Sequence, residues 1–516
     1  MLNRFFGNNT HSYLHVLGIA GIAFALPWSK VMMSISVMFI ILNLLLEGAF
    51  SSYWKNFKAN RVFWLVVAVY LLNVIGLFWS TNTSEALHAI KQQLPFIAIP
   101  TALVAKPILE TKHRDIIFLT FLVAMLGTSL YNFLSYQHII GNRFYDDIRG
   151  MSLTSSHIRY SLLISMSAGI TLVCSRGHKK RLIFCLILLA WFAFYTFYSQ
   201  VISGVISFAA MLTVFVLYHL WMKNKSLALL FSGAAIVLGM IPIVWLLQPL
   251  EIDPADYASL PKTTKQGNPY NHNLSYVDSE THEPILIYVN EDEMREEWEK
   301  RSELPYDGIT VRGNLVSHTL MRYLSTKRLP RDAEGVSKLS ANDIRNIELG
   351  RPSVHHTGLM ARMHALRFEL NYAVNPNGHS LLQRFEYWKA AWQLIKSDGI
   401  IGVGTGDVQD AFNHYYESSS SPLSEQNRRR AHNQFLTYWI SFGILGLALF
   451  VALLFAFMRL NWHKQKVLAL LFGAIVISSF FMEDTLETQT GVTFFALFTG
   501  LFLSKAEQNA TKEPAH

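Results

Sequence analysis

The chain is organised around residues 380–397, which read SLLQRFEYWKAAWQLIKS and have the pattern of an amphipathic helix. A glycine-spaced turn follows, Gly402-Val-Gly-Thr-Gly-Asp407, and a polar loop then ends in Arg428-Arg-Arg-Ala-His-Asn433. From Gln434 the chain becomes a long apolar helix candidate. This order brings a basic, histidine-bearing loop to the mouth of a membrane span, and we expect the chemistry of the protein at that junction.

The composition is that of a membrane protein. Of the 516 residues, 51% are hydrophobic and only 16% are charged, which sets the chain apart from soluble globular proteins. The net charge of +8 does not indicate nucleic acid binding, because most Lys and Arg residues lie in short connectors between apolar blocks, where they set topology. The two cysteines, Cys174 and Cys185, offer neither a disulfide framework nor a CxxC metal site.

About twelve membrane spans are predicted, from apolar blocks of about 18–25 residues that match roughly 30 Å of hydrocarbon. The second block follows the first so closely that we expect a retained span rather than a signal peptide at the start. The predicted spans lie near residues 14–28, 31–47, 62–79, 89–105, 115–136, 157–174, 182–198, 201–222, 226–247, 434–458, 466–482 and 490–504.

The loops between these spans alternate in charge. One set is rich in Lys and Arg, as at residues 55–61 and 176–181, and the opposite set is short and poor in them, as at Thr81–Ala86. The positive-inside rule then places the basic connectors and both termini in the cytoplasm. The predicted parts are an N-terminal bundle (1–247), a large outer loop (248–433), and a C-terminal bundle with a short cytoplasmic tail (434–516).

The outer loop is the one soluble-like region. Ser340-Ala-Asn-Asp343 predicts the capped start of a helix, and Gly350-Arg-Pro352 predicts its stop. Residues 355–373 predict another helix. Lys262–Ser279 is polar and rich in Asn, Gly and Thr, so it is interpreted as a loop.

Arg384 has two interpretations. Leu381, Arg384, Trp388, Ala391 and Ile395 recur at helical spacing, so Arg384 shares a helix face with apolar and aromatic neighbours. The simpler interpretation is an arginine that extends from an interfacial helix to lipid headgroups. The alternative is a guanidinium held in a cleft, where it grips a phosphate bidentately.

His432 and Asn433 stand directly before a span. A histidine at such a place is in the simpler interpretation a cap or an interfacial residue, yet an imidazole is also well suited to abstract a proton near neutral pH. Asn433 either caps the helix or orients the imidazole.

The glycines of Gly402-x-Gly-x-Gly406 do not indicate a nucleotide site. They follow a predicted helix rather than a strand and lack the Rossmann spacing. A turn whose backbone approaches another element is the better interpretation, and anion binding by its N–H groups is left open.

Other charged residues are weaker candidates. Arg159 opens a span and is therefore a functional candidate, and Arg430 belongs to a basic patch that would attract an anionic substrate. Arg143 and Arg149 either bind headgroups or are solvated. The adjacent acids Asp146-Asp147 and Glu483-Asp484 are interpreted as solvated loop charge. With neither a DxD pair nor a Cys/His cluster in the sequence, no metal site is predicted.

Two stretches together resemble the signature of the O-antigen ligase/polymerase family of bacterial inner-membrane proteins. They read SLLQRFEYWKAAWQLIKSDGIIGVGTGD (380–407) and RRAHNQFLTYWISFGILGLALF (429–450). The shared features are an Arg with a Trp four residues later, a G-x-G turn, and His-Asn leading into a span that contains Gly-Ile-x-Gly.

The resemblance implies an all-α, GT-C-like polytopic membrane bundle with one large periplasmic loop. It implies a metal-independent, inverting glycosyltransferase without a cofactor, whose partners are membrane lipids and glycans rather than nucleic acid. Such an enzyme takes a glycan from undecaprenyl pyrophosphate at the periplasmic face. It passes the glycan to lipid A–core (a ligase, the favoured reading), to another glycan (a polymerase) or to a protein hydroxyl.

Residue roles follow from the same resemblance. Arg384 would hold the pyrophosphate and His432 would activate the acceptor hydroxyl. Supporting roles would fall to the residues that complete the motifs, Asn433, Trp388, Gly404 and Gly406. The chain departs from the family pattern at Ile202, where an Arg is expected, and Arg159 and Arg430 are taken as further pyrophosphate contacts.

Two hypotheses in which the protein catalyses no reaction stay open. A lipid-glycan transporter would also suit many spans and a positive cleft, although related hydropathy in two halves of the chain, which would favour it, is not evident. A scaffold for envelope assembly would leave His432 and Arg384 individually dispensable.

Overall fold

The computed structural model describes residues 10–141, 143, 145, 147–174, 179–311, 314–373, 375–464 and 466–504, with the backbone alone for 179–181. The first helices are α1 (Thr10–Ala25), α2 (Lys30–Glu47), α3 (Phe50–Ala59), α4 (Arg61–Ile75), α5 (Thr83–Gln92), α6 (Leu94–Ala105), α7 (Thr111–Tyr136), α8 (His157–Cys174), α9 (Lys179–Tyr198), α10 (Ile202–Lys223) and α11 (Lys225–Leu247). The others are α12 (Glu291–Glu299), α13 (Val316–Thr326), α14 (Ala333–Ser337), α15 (Ala341–Glu348), α16 (Gly358–Tyr372), α17 (Ser380–Asp398), α18 (Val408–Ser418), α19 (Gln434–His463), α20 (Val467–Met482) and α21 (Gln489–Leu503). Two strands, β1 (Asn271–Val277) and β2 (Pro284–Val289), form an antiparallel hairpin.

The described chain is a helical, multi-pass membrane architecture. Seven helices within it are long and apolar enough to cross a bilayer, namely α2, α4 with the short turn after it, α7, α8, α10, α11 and α19. The apolar part of α9, together with α20 and α21, forms shorter apolar helices. The count of twelve spans and the cytoplasmic location of the termini stay predictions, and residues 1–9 and 505–516 lie outside the described part.

The span predicted at 89–105 is two helices in the structure. The amphipathic α5 ends at Gln92, and α6 begins at Leu94 with Pro95 in its first turn. Proline lacks the N–H that would continue the preceding helix, and its fixed φ suits the start of a new one. The prediction of one continuous helix here was therefore wrong.

Helix α8 lies inside the bundle. In its apolar window 72% of the residues are buried, against 6% for α11. It packs against α9, α10 and α20. The first turn of α8 consequently places Arg159 among protein groups, where the residue is 9% exposed.

The segment between α11 and α16 has a small core of its own. Met294, Trp298, Tyr323 and Leu324 pack together beneath the hairpin. The predicted capping box is present, because Ser340 and Asp343 exchange side-chain-to-backbone hydrogen bonds at the start of α15. The helix predicted at 355–373 is α16, but the loop predicted at 262–279 was wrong in part, since it contains β1.

The long helix α19 is interrupted at Gly443, which has φ 64° and ψ −165°. The break frees carbonyls of the preceding turn, and the glycine-spaced turn supplies their donors: Val403 N donates to Ile440 O at 2.8 Å and Gly404 N to Ser441 O at 2.9 Å. A Cβ on Gly443 would collide with the backbone carbonyl of Ile400. Broken helices are tolerated at membrane depth only where protein groups satisfy the freed backbone in this way.

Gly443→Ala is expected to lower the melting temperature of the full-length protein in detergent. The left-handed conformation costs an L residue about 1–3 kcal/mol, and the collision with Ile400 adds to that cost. Gly239→Ala on α11 is the matched control, because no atom lies within 4 Å of the added methyl group. An equal melting temperature for G443A and G239A would contradict this account of the break.

Candidate functional site

Side chains from three separate segments contact the carboxylate of Glu483, which lies directly after α20. Arg384 of α17 donates from Nη2 to Oε1 at 2.6 Å, and Arg159 of α8 donates from Nη1 to Oε2 at 3.1 Å. Nδ1 of His432, in the loop before α19, lies 3.2 Å from Oε2. The structure thus brings the three sequence-predicted residues Arg159, Arg384 and His432 together around one acid.

Glu483 is the residue that the sequence interpretation missed. Its side chain is 2% exposed, so the interpretation of Glu483-Asp484 as solvated loop charge was wrong. Burial by itself would raise the pKa of this carboxyl, but the hydrogen bond with His432 and the charges of Arg159 and Arg384 outweigh burial and lower the pKa to about 2. Glu483 is therefore an anion throughout the physiological range. An acidic pair between two apolar helices was the available signal.

The carboxylate of Asp484 fixes the backbone conformation at His432. Its carboxylate accepts hydrogen bonds from His432 N at 3.1 Å and Asn433 N at 3.0 Å, and also from the hydroxyl of Thr437 at 2.7 Å. His432 has φ 47°, a left-handed conformation that a non-glycine residue adopts at a cost. The bonds to Asp484 keep the histidine in this strained conformation.

Asn433 acts as the N-cap of α19. Its side-chain oxygen accepts from Phe435 N at 3.0 Å and Leu436 N at 3.1 Å. Of the two interpretations left open, capping fits the geometry, and the group that touches the imidazole nitrogen is Glu483. Trp388 fixes the same loop from the other side, since its indole N–H donates to Ala431 O at 3.0 Å.

Arg384 turns inward rather than toward headgroups. Its Nη2 donates hydrogen bonds to the carboxylate of Glu483 and, at 3.4 Å, to Met482 O. Its Nε is buried without a partner, and within the described chain Nη1 makes no hydrogen bond. Arg159 similarly has a buried Nε with no partner after its bonds to Glu483 and the carbonyl of Asp484. Both guanidinium groups therefore retain donors for a ligand.

Arg430 belongs to a different cluster. Its guanidinium lies 3.7 Å from Glu85 and 3.7 Å from Glu487. Burial raises the pKa of Glu487, and the charge of Arg430 opposes that rise. The structure does not bring Arg430 to Glu483, so the role predicted for it as a pyrophosphate contact has no support in this geometry.

The N–H groups of residues 402–406 in the glycine-spaced turn are all engaged within the protein. Besides the bonds to α19, Gly402 N donates to Asp398 O at 2.8 Å, Thr405 N to Gly76 O at 3.4 Å, and Gly406 N to the Ser80 hydroxyl at 3.0 Å. These five N–H groups are therefore not available to an anion in the observed conformation. Gly404 and Gly406 support the site through the fold.

Arg362 of α16 is a second residue that the sequence analysis did not single out. Burial and the neighbouring positive charge of Arg149 lower its pKa, and Arg384 is also among the charges that act on it. Its Nε is buried without a partner, and no hydrogen bond from its side chain exists within the described residues. The nearest acids are already engaged, Asp147 by Arg149 and Glu369 by His379.

Gly358, one turn before Arg362, lies near the segment where an arginine is missing. A Cβ added to Gly358 would be 3.8 Å from the side-chain amide of Gln200, which precedes Ile202 by two residues. Because the buried Nε of Arg362 has no partner among the described residues, we expect this guanidinium to attract an anion. Among the described residues, no group of three or more His, Cys, Asp or Glu side chains is placed to hold a metal ion.

Replacing the buried acid should change how stability depends on pH. Because folding lowers the pKa of Glu483 from 4.5 to about 2, its contribution is complete above about pH 4.5 and is lost as the pH falls toward 2. We expect Glu483→Gln to lower the melting temperature of the detergent-solubilised protein at pH 7, by an effect on the order of 3 kcal/mol. The deficit relative to the unmodified protein should shrink at pH 3.

Glu425→Gln is the control for this measurement, since Glu425 is exposed. It should leave the melting temperature unchanged at both pH values. A deficit of E483Q that stays constant from pH 7 to pH 3 would show that the carboxylate contributes by shape rather than charge.

The sequence profile of the O-antigen ligase family matches residues 353–451. No curated protein sequence matches the chain. The matched segment runs from just before α16 into the second half of α19, so it contains Arg362, Arg384, the glycine-spaced turn and His432. It supports a glycosyltransferase-like activity of the O-antigen ligase or polymerase kind, on lipid-linked glycans and their acceptors. Over this matched segment, the resemblance to the O-antigen ligase/polymerase family that the sequence predicts is confirmed.

Proposed function

We propose that the protein is an O-antigen ligase-type glycosyltransferase of the bacterial inner membrane. It moves a glycan from undecaprenyl pyrophosphate to an acceptor hydroxyl at the periplasmic face, with lipid A–core as the favoured acceptor. The observation that carries the proposal is the contact of His432 Nδ1 with Glu483, whose carboxylate also pairs with Arg159 and Arg384. This arrangement combines a base with a cationic pocket.

His432 acts as the general base. The anionic Glu483 accepts the Nδ1–H, which favours the tautomer whose Nε2 carries a free lone pair. Within the described chain Nε2 has no hydrogen-bond partner, and the side chain is 29% exposed. An acceptor hydroxyl can therefore reach Nε2 and transfer its proton there, which typically contributes about 10²–10⁴-fold to the rate.

The arginines receive the leaving group. The acceptor oxygen forms a bond to the anomeric carbon as the bond from that carbon to the pyrophosphate breaks, and attack from the opposite face inverts the configuration. The electron pair of the broken bond stays on the pyrophosphate, where the unused donors of Arg384, Arg159 and Arg362 stabilise it. Glu483 keeps the first two guanidinium groups in place before the substrate arrives. No step requires a metal or an external cofactor.

His432→Ala should abolish glycan transfer while the protein still inserts and folds. The test uses purified full-length protein, carrier-linked glycan and acceptor, and measures new covalent product. Asn413→Ala in α18 is a control for folding of the outer segment. Transfer by H432A at the rate of the unmodified protein would refute the assignment of the base.

The arginine assignments are tested by two substitutions. Arg384→Lys should lose most activity, because an ammonium group cannot bond Glu483 and a phosphate through a planar fork. Arg362→Gln should lower kcat/KM for the carrier-linked glycan by at least about tenfold, the usual worth of a charge-assisted hydrogen bond. Arg345→Gln, at an exposed position of α15, is the matched control. Full activity of R362Q would remove Arg362 from the pocket.

The same assay separates the alternatives. A polymerase or a protein O-oligosaccharyltransferase uses the same chemistry with a glycan or a protein as acceptor, so acceptor competition distinguishes them from a ligase. A lipid-glycan transporter yields no covalent product with any acceptor.

A further inference from the structure

A groove next to the start of α21 is not used by the proposed reaction. It has a volume of about 530 Å³ and lies between α2, the α5–α6 junction and the start of α21. We call it the lysine groove, after Lys30 and Lys91, which line it together with His88. Met33, Val37 and Leu94 provide its apolar lining.

The walls of the lysine groove are held in place by hydrogen bonds. The side-chain amide of Gln489 donates to Lys30 O at 3.1 Å and to the Ser34 hydroxyl at 2.8 Å, which ties α21 to α2. The amide of Gln92 donates to Glu487 O, which ties α5 to the same segment. The groove is therefore a built feature of the bundle rather than a loose gap.

The two lysines of the lysine groove are unpaired among the described residues. Both lysine side chains are exposed, and neither forms an ion pair within the described chain. On the predicted topology they lie at the outer face, where the connectors are otherwise poor in Lys and Arg. The positive-inside rule therefore does not account for them. Two lysines that line a groove together with apolar side chains complement a phosphate attached to a hydrocarbon chain.

We infer that the lysine groove binds a bilayer phospholipid with an anionic headgroup. The phosphate lies between Lys30 and Lys91, and an acyl chain follows Met33 and Val37 toward Met38, which is 68% exposed at the open side. The volume falls within the range of about 300–1,000 Å³ that is common for small-ligand sites. This inference is independent of the transfer reaction, because none of these residues touches the Glu483 cluster.

Native mass spectrometry of the full-length protein tests the inference. The protein is purified in detergent, which removes the surface potential of a bilayer, and is offered dioleoylphosphatidylglycerol or dioleoylphosphatidylcholine. We expect one retained phosphatidylglycerol per chain and about tenfold weaker retention for the Lys30→Gln/Lys91→Gln double variant. Lys55→Gln/Lys58→Gln, which removes the same charge from the opposite predicted face, should retain the lipid.

A second variant tests the apolar part. Val37→Trp fills the groove without changing charge and should also release the lipid, while the melting temperature of the lipid-free protein confirms that it folds. Equal retention by K30Q/K91Q and the unmodified protein overturns the inference. So does phosphatidylcholine bound as well as phosphatidylglycerol, or a V37W variant that keeps the lipid.

Discussion

A buried carboxylate must be compensated, and the compensation of Glu483 ties together the segments at this end of the bundle. An anion that is 2% exposed would be prohibitively costly without its partners. Arg159 comes from the interior helix α8, Arg384 from the amphipathic α17, and His432 from the loop before α19. Each partner neutralises the same charge, so the three segments can reach a stable arrangement only together.

Local sequence patterns were sufficient to predict many of the helices, caps and turns. Runs of apolar residues predicted most helices of the bundle, and the spacing of residues 380–397 predicted α17 nearly to its ends. Ser340 was predicted to be a cap, and capping was one of two interpretations for Asn433, because a cap depends only on the few residues that follow it. The glycine-spaced turn was correctly expected to approach another element, since Gly402 and Gly404 adopt positive φ and a Cβ on Gly402 would collide with the backbone of Ser441 in α19.

The parts that escaped prediction depend on contacts between distant residues. Glu483 is 324 positions from Arg159 and 99 from Arg384, so the acidic pair between two apolar helices does not by itself show which residues it contacts. Arg362 is likewise ordinary in its own helix and becomes notable only through the neighbouring charges of Arg149 and Arg384. Arg430 was predicted to be in the site and is close to His432 in the sequence. In the structure His432 lies at Glu483, whereas the side chain of Arg430 points toward Glu487.

The interruption at Gly443 divides α19 into a short part next to His432 and a longer part that follows. Helices adjust to changes in hydrocarbon thickness chiefly by tilting. The short part is attached to Val403 and Gly404 by backbone hydrogen bonds, and regular helical geometry is lost at Gly443 between the two parts. A tilt of the longer part would therefore not need to displace the residues before Gly443.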